Sequence, residues 1–246
     1  LIAVAVYYPE YSARAQFPPL LHSEAAKTDE YMTDIGDRLL NAGYDYDFLP
    51  DRGIENVRAV RGVLKGASDY RAVILPNVRY VPLKTAKKLC AFAKSGGKVV
   101  CVGKYTPEGI GEEREEVGRL FAAALRGGNV LFADHPAEVV GILRGFLSPV
   151  CMEGDAGGVY AMRRESCGTC FYYLVNTSAE PRAFTLRAAG ESAEEWDIET
   201  GDRRPAVFTA GGGEVNISCT LAEYGSCIVA VNSNPAASAP PRTVQG

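Results

Sequence analysis

The sequence DYRAVILPNVRYVPLKTAKKLCAFAKSGGKVVCVGKY, residues 69–105, contains the pattern that decides the fold of the first half of the chain. Two short, nearly continuous apolar runs, 72–75 and 99–102, predict strands that helices cover on both faces, as in a parallel sheet. Between them, apolar residues at helical spacing alternate with lysines, which predicts an amphipathic helix that ends at Gly96 and Gly97. The stretch therefore predicts one complete β-α-β unit with a right-handed crossover.

Strand and helix patterns alternate on both sides of this unit. We predict further strands at 1–8, 44–49 and 130–133, a long loop at 10–24, and helices at 23–42, 54–65, 112–125 and 136–146. This alternation predicts a doubly wound, flavodoxin-like parallel sheet with helices on both faces. We place this α/β domain at residues 1–149.

After Pro149 the pattern changes to short strands separated by Gly, Asn, Ser and Pro. We predict strands at 159–163, 170–175, 183–187, 194–198, 206–209, 215–219 and 227–231. This is the pattern of an all-β antiparallel sandwich, which we place at residues 150–232. Trp196 is predicted to fill the sandwich core. Residues 233–246 have no apolar period and are predicted to form a disordered tail.

The composition argues against several classes of function. The 246 residues carry a net charge of -4, so nucleic acid is not an expected partner, since phosphate binding requires a basic face. No apolar run approaches the roughly 18 residues of a membrane span, so we expect no membrane association. Leu1 already belongs to a strand pattern and is not Met, which leads us to expect an upstream portion of the polypeptide.

The seven cysteines are an odd number, and most lie inside apolar patterns. Buried free thiols fit a reducing compartment, so we expect a cytoplasmic protein. Cys167 and Cys170 form a CxxC, which opens redox and zinc interpretations, with Cys151 as a conceivable third zinc ligand. The motif begins a strand and lacks the helix N-terminus that activates thioredoxin-type thiols. We therefore favour core or turn cysteines, and we expect no metal and no cofactor.

Ligands of open α/β sheets bind beyond the carboxyl ends of the strands. The candidates there are aromatic or polar and include Tyr7 and Arg79. The six that we single out are Tyr8, Tyr11, Asn77, Tyr80, Lys104 and Tyr105. Rings beside polar groups suit sugars, whose C–H surfaces stack on aromatic faces while their hydroxyls form hydrogen bonds. The same residues could instead pack against another domain. They are therefore candidates for a ligand site or a domain interface.

The LPN motif after one strand and the glycine after the next also form the skeleton of class I glutamine amidotransferase domains. Those enzymes place a nucleophilic Cys in the turn after the later strand, with His and Glu downstream. Here the turn is Gly103-Lys104-Tyr105, and Cys101 falls inside the strand, where a thiol is buried and inert. His135 then has no nucleophile to serve. We assign no catalytic residue.

Several stretches resemble parts of known glycoside hydrolases. VAVYYP, GYDYDFLPD and residues 73–107 are similar to the C-terminal, non-catalytic part of enzymes of the α-L-rhamnosidase type. They also resemble the glutamine-amidotransferase-like domain with which β-galactosidases trimerise. FYYLVNTSAEP, EEWDIETGDRRP and LAEYGSCIVAV resemble the β-sandwich that follows in the rhamnosidase type. The resemblance covers most of residues 1–232.

The resemblance implies an accessory region, structural or oligomeric, of a bacterial multidomain sugar-cleaving enzyme. The two carboxyl groups that such enzymes need would lie on an upstream catalytic barrel, which is the first expected partner. The β-galactosidase domain has lost its own triad, which agrees with lysine at position 104. Other expected partners are further copies of the chain and carbohydrate. The alternatives are a carbohydrate-binding module that uses the tyrosine-lined edge, or the trimerisation region of a β-galactosidase.

Overall fold

The computed structural model describes residues 2–16 and 24–233. The chain divides into two compact units. Of the described residues, 2–16, 24–39 and 46–147 form one unit, and 40–45 and 148–233 form the other.

The first unit alternates strands and helices. In chain order its elements are β1 (Val4–Tyr8), α1 (Glu10–Ala15), α2 (Glu24–Asn41), β2 (Tyr46–Pro50), α3 (Asp51–Glu55), β3 (Arg58–Val60), β4 (Val63–Lys65), β5 (Asp69–Tyr70), β6 (Ala72–Pro76), α4 (Leu83–Lys94), β7 (Lys98–Val102), α5 (Arg114–Arg126), β8 (Val130–Ala133) and α6 (Val139–Arg144). Short 3-10 turns, Gly111–Glu113 and Pro136–Glu138, precede α5 and α6. Five of the strands form a parallel sheet in the order β2-β1-β6-β7-β8.

The β-α-β unit predicted from residues 69–105 is confirmed. Every residue of β6 is buried, and α4 buries an apolar stripe that includes Leu89 and Phe92. Gly96, with φ of 105°, follows the helix, and an added Cβ on Gly97 would lie 2.0 Å from the Phe92 ring. The first glycine permits the left-handed turn and the second permits the close approach of the ring.

The prediction of a helix at 54–65 is wrong. Helix α3 ends at Glu55, and β3, β4 and β5 form a small antiparallel sheet. The valines of this stretch also fit an alternating pattern, and the β3–β4 turn at Arg61 and Gly62 has φ of 48° and 75°. Two-residue turns with positive φ at both positions match the twist of a hairpin, but Arg-Gly is not one of the dipeptides that usually signal them. Part of the predicted loop at 10–24 is also helical, as α1, while residues 17–23 lie outside the described residues.

The second unit is an antiparallel β-sandwich. Its strands are β9 (Cys151–Gly154), β10 (Val159–Ser166), β11 (Thr169–Asn176), β12 (Arg182–Ala189), β13 (Ser192–Trp196), β14 (Arg203–Pro205), β15 (Phe208–Gly211), β16 (Glu214–Leu221) and β17 (Ser226–Asn232). They form two sheets, β10-β11-β17-β13-β14 and β15-β16-β12-β9, whose inner faces share one apolar core. The seven predicted strands are all present, whereas β9 and β14 were not predicted.

The prediction that Trp196 fills the sandwich core is wrong. Ala193 faces the core from β13, and Trp196, three residues later, pairs with Ile228 on the opposite face. There its ring meets Phe171 edge-on at 5.3 Å, and the guanidinium of Arg203 lies 4.1 Å from the ring centre. Alternate residues of a strand face opposite sides, so the register of β13 decides the position of the indole.

Two further predictions concern membrane-spanning segments and the C-terminal tail. Across residues 2–16 and 24–233, no helix combines the length and the apolar character needed to cross a bilayer. Residues 234–246, nearly all of the predicted tail, lie outside the described residues.

Candidate functional site

The carboxyl edge of the parallel sheet carries the candidate residues. Tyr8 is the last residue of β1, Asn77 directly follows β6, and Gly103 directly follows β7. Neighbouring parallel strands end at the same edge of a sheet, which is where ligands of this architecture bind.

Asn77 is a buried part of the turns at this edge. Its φ of 45° is in the left-handed region, its side chain is 0% exposed, and its backbone N–H donates to Val102 O at 2.7 Å. The amide Oδ1 and Nδ2 have no hydrogen-bond partner in the described part of the chain. An added Cβ on Gly103 would lie 2.8 Å from Asn77 Oδ1, so the two turns interlock. Solutes at the surface have no access to this buried side chain. The role of Asn77 is therefore to shape the edge.

The structure brings together three of the predicted residues with an arginine and a glutamate. The guanidinium of Arg79 lies 4.9 Å from the Tyr80 ring centre and 5.6 Å from that of Tyr105. Lys104 Nζ lies 5.0 Å from the Tyr105 ring centre. Arg79 Nε donates to Glu108 at 3.2 Å. We call these five residues the arginine–tyrosine cluster.

The arginine–tyrosine cluster is held by backbone contacts. Val81 N–H donates to Glu108 O at 3.0 Å, and Glu108 N–H donates to Arg79 O at 2.8 Å. The Glu108 carboxylate also accepts from Arg114 Nε at 2.9 Å, which ties the cluster to the start of α5. The result is a surface of two tyrosine rings with cations over their faces, in which the arginine is fixed by a carboxylate.

Tyr8 and Tyr11 are placed differently from the cluster. Tyr8 is 48% exposed and packs edge-on against Phe48 of β2, with ring centres 6.3 Å apart. Tyr11 lies on α1, and burial, together with the negative charges of Glu113 and Asp51, raises the pKa of its hydroxyl. Ser12, the residue after Tyr11, accepts hydrogen bonds from the backbone N–H groups of Arg79 and Tyr80 at 3.3 and 3.2 Å, so α1 lies beside the cluster.

A polar network next to this edge was missed from the sequence. Tyr7 OH donates to Asp51 Oδ1 at 2.7 Å, and Thr85 Oγ1 donates to the same oxygen at 2.8 Å. Glu55 lies beside them and forms an ion pair with Lys84 at 2.9 Å. Burial and the Asp51 carboxylate strongly raise the pKa of Tyr7. Alternate residues of a strand face opposite sides of the sheet, so Tyr7 and Tyr8 lie on opposite faces of β1. This alternation was the sequence signal that could have distinguished the environment of Tyr7 from that of Tyr8.

Cys101, Lys104 and His135 are the residues that bear on the amidotransferase interpretation. Cys101 is 1% exposed within β7, and burial raises its pKa to about 12. Lys104 occupies the turn that follows. His135 precedes the turn that leads into α6, where it lines a cavity of about 290 Å³ with Tyr31 and Asp34. A thiol with this pKa is not a nucleophile at neutral pH.

The CxxC cysteines occupy the hairpin between β10 and β11. Cys167 is exposed, whereas Cys170 is buried and lies 3.0 Å from the donating Arg163 Nε. Cys151, the conceivable third zinc ligand, lies on β9 in the opposite sheet. In the portion of the chain that the structure describes, no three His, Cys, Asp or Glu side chains are grouped to hold a metal ion.

Comparisons with known proteins find similarity of structure but not of sequence family. No protein-family model matches the chain, and no curated protein sequence is significantly similar to it. Solved structures that match the fold include a rhamnosidase and GH42 β-galactosidases. The resemblance stated from the sequence is therefore confirmed at the level of the fold.

Three of these structures illustrate the extent of the similarity. The rhamnosidase from Novosphingobium sp. PP1Y matches 100% of this chain with a TM-score of 0.71 and 19% identity, over 24% of its own length. The GH42 β-galactosidase of G. stearothermophilus matches 94% of this chain with a TM-score of 0.62 and 11% identity, over 40% of its length. A β-galactosidase from Bacillus circulans sp. alkalophilus matches 93%, with a TM-score of 0.56 and 13% identity, over 41% of its length. The chain thus spans less than half of each.

Proposed function

We propose that this chain is an accessory region of a bacterial glycoside hydrolase of the α-L-rhamnosidase type, with a structural or oligomerisation role. In this proposal the catalytic barrel, with its two carboxyl groups, lies upstream in the same polypeptide. The observation that carries the proposal is the match of the whole chain to 24% of a rhamnosidase. A segment that covers so small a part of an enzyme fits a supporting domain.

The environment of Cys101 and Lys104 supports a non-catalytic role. A nucleophilic cysteine needs an accessible thiol of lowered pKa, whereas Cys101 is buried with a raised pKa. The turn that would carry such a nucleophile holds Lys104, whose ammonium lies over the Tyr105 ring. This supports a sheet of amidotransferase type that has no cysteine nucleophile.

The finer assignment of fold and domains is also a proposal. The parallel strands lie in the spatial order second, first, third, fourth, fifth, which supports a flavodoxin-like α/β domain. We assign this domain to residues 1–149, the sandwich to 150–232, and a disordered tail to 233–246. We also propose a reducing, cytoplasmic location, which the free state of the cysteines supports.

Activity assays on the purified chain test the main proposal. Aryl α-L-rhamnosides and aryl β-galactosides should release no aryl alcohol, because the acid and base carboxylates are outside this chain. Reproducible hydrolysis that copurifies with the chain would overturn the proposal.

The mass of the chain in solution separates two forms of the supporting role. Light scattering coupled to size exclusion should give a single copy if the region only supports the barrel of its own polypeptide. A stable trimer would instead favour the alternative of a β-galactosidase-type trimerisation region.

A second candidate function is carbohydrate binding, and the arginine–tyrosine cluster favours it. Tyrosine rings beside a carboxylate-fixed arginine offer stacking surfaces together with hydrogen-bond donors. Titration with rhamnose, galactose and oligosaccharides should then show saturable binding, which Tyr105→Ala weakens at least fivefold. Tyr160→Ala, on β10 of the sandwich, is the matched control and should leave the affinity unchanged. No saturation, or equal loss in both variants, would exclude this function.

A further inference from the structure

The opposite, amino edge of the parallel sheet contains a small cavity with cationic walls. Its volume is about 240 Å³. It lies between the β3–β4 turn, the residue before β6 and the first residue of β7, and the residues that matter for the argument are Arg61, Gly62, Arg71, Gly96, Lys98 and Phe146. We call it the cationic pocket. It lies away from the arginine–tyrosine cluster, which is at the carboxyl edge.

The charge of the cationic pocket is unbalanced. Two arginines and one lysine line it, and no carboxylate does, although the chain as a whole has a net charge of -4. In the described residues, the guanidiniums of Arg61 and Arg71 form no ion pair, whereas other arginines such as Arg79, Arg114 and Arg182 pair with carboxylates. Like charges that converge without a counter-charge repel one another, so an anion in the pocket would be favoured.

The backbone around the cationic pocket is fixed. Gly62 N–H donates to Ser95 Oγ at 3.2 Å, and a Cβ on Gly62 would lie 3.1 Å from the carbonyl carbon of Gly96. The hairpin tip therefore rests directly on the turn between α4 and β7. Arg61 at this tip has φ of 48°, a left-handed conformation that is strained for a residue with a side chain.

The third cation is also held in place. Lys98 Nζ donates to Asn129 Oδ1 at 2.6 Å and lies 5.9 Å from the centre of the Phe146 ring. Neither partner neutralises the ammonium, because an amide and an aromatic ring are uncharged. The packed hairpin tip therefore fixes the backbone from which Arg61 extends, and Asn129 tethers the lysine, before any ligand arrives.

We propose that the cationic pocket is a binding site for a tetrahedral oxyanion, a phosphate or sulfate group, free or as a substituent on a sugar. Guanidinium groups match such oxygens with paired N–H donors, and the lysine adds a point charge. Drug-sized ligands occupy about 300–1,000 Å³, so this smaller cavity suits one charged group better than a larger molecule. The inference is independent of the proposed glycosidase role.

Calorimetric titration of the full chain with inorganic phosphate tests the proposal. Arg71→Ala and Arg61→Gly should each weaken binding at least tenfold. Arg61→Gly removes the cation together with the backbone strain, so its melting temperature should equal or exceed that of the parent chain. Arg126 is an exposed arginine at the end of α5. Arg126→Ala removes one positive charge, as the other two substitutions do, and should alter the affinity less than twofold.

Three outcomes would overturn the proposal. They are no saturable binding by the parent chain, unchanged affinity in Arg61→Gly and Arg71→Ala, and equal weakening by Arg126→Ala, which would mean diffuse charge attraction. A second titration, with a hexose 6-phosphate, separates the two sources of the anion. Tighter binding than that of inorganic phosphate assigns the pocket to a sugar-borne group, and equal binding assigns it to the free ion.

Discussion

Tyr7 and Tyr8 are neighbours in the sequence, yet their side chains have opposite environments. Tyr7 is 0% exposed and bonded to Asp51, whereas Tyr8 is 48% exposed against Phe48. The difference follows from strand alternation, since successive residues of β1 face opposite sides of the sheet. Two identical neighbouring residues therefore become a buried hydrogen-bond donor and a surface ring.

We expect Tyr7→Phe to lower the free energy of unfolding by about 1–3 kcal/mol, because a buried hydrogen bond to a carboxylate is lost. Tyr8→Phe is the matched control and should change it by less than about 0.5 kcal/mol. Urea denaturation followed by circular dichroism measures both. Equal effects of the two substitutions would contradict the role of the Asp51 bond.

The raised pKa of Tyr7 predicts a pH dependence. An unfolded tyrosine loses its proton near pH 10, whereas the buried Tyr7 keeps it, so the folded state binds the extra proton. The stability that Tyr7 contributes is therefore complete below about pH 10 and falls above it, by up to about 1.4 kcal/mol per pH unit. The stability difference between the parent chain and Tyr7→Phe should shrink above that pH, and a constant difference would refute the assignment.

Gly103 is a residue whose lack of a side chain is required. Its φ is 98°, and an added Cβ would lie 2.8 Å from Asn77 Oδ1. We expect Gly103→Ala to destabilise the chain by about 1–3 kcal/mol. Gly118→Ala, in α5 with no atom within 4 Å of the added Cβ, should stabilise it by about 0.5–1 kcal/mol. Thermal melts compare the two, and a harmless Gly103→Ala would disprove the interlocked turns.

At the scale of elements, strand β11 shows how the sandwich divides its two faces. Leu174 is 0% exposed in the shared core, whereas Phe171 lies on the outer face beside Trp196. The outer rings cover part of the sheet but do not belong to the core. A substitution on the core face of this strand should therefore lower the free energy of unfolding much more than one on the outer face.

We expect Leu174→Ala to reduce the free energy of unfolding by about 2–5 kcal/mol, through lost burial and a residual cavity. Phe171→Ala should cost about 1–2 kcal/mol, mainly the aromatic pair and partial burial. Chemical denaturation of the two variants gives the comparison. A larger loss from Phe171→Ala would mean that the outer face is covered in solution.

At the scale of the whole molecule, the cysteines are free. Cys101, Cys170, Cys219 and Cys227 are buried, Cys90 and Cys151 are half-buried, and Cys167 is exposed. Burial raises the pKa of Cys101, Cys219 and Cys227 to about 12. These thiols act as small apolar groups, and stability comes from the two apolar cores.

The melting temperature of the chain should accordingly be the same with and without dithiothreitol. A structural disulfide constrains the unfolded chain and typically contributes about 2–4 kcal/mol, so its reduction would lower the melting temperature by several degrees. Differential scanning calorimetry under both conditions decides the matter. A fall in reductant would show that a disulfide forms.

The sequence by itself determined the alternation of β6, α4 and β7 and the change to a sandwich after Pro149, because these depend on local periodicity. It also placed Cys101 inside a strand and Lys104 in the following turn. It could not separate a helix from a hairpin at 54–65, since the valine spacing fits both and the tertiary packing of Gly62 on Gly96 selects the hairpin. The facing of Trp196 depends on pairing with Ile228, which strand register alone decides.

The cationic pocket and the arginine–tyrosine cluster were decided only by the tertiary structure. Arg61 and Lys98 are far apart in the sequence, as are Arg79 and Tyr105, and no local pattern relates them. Arg79 and Tyr105 meet because β6 and β7 are parallel neighbours whose carboxyl ends lie at the same edge. Arg61 meets Lys98 because the β3–β4 hairpin packs on the turn between α4 and β7. Local sequence patterns specify the elements, whereas the contacts between elements specify which side chains share a site.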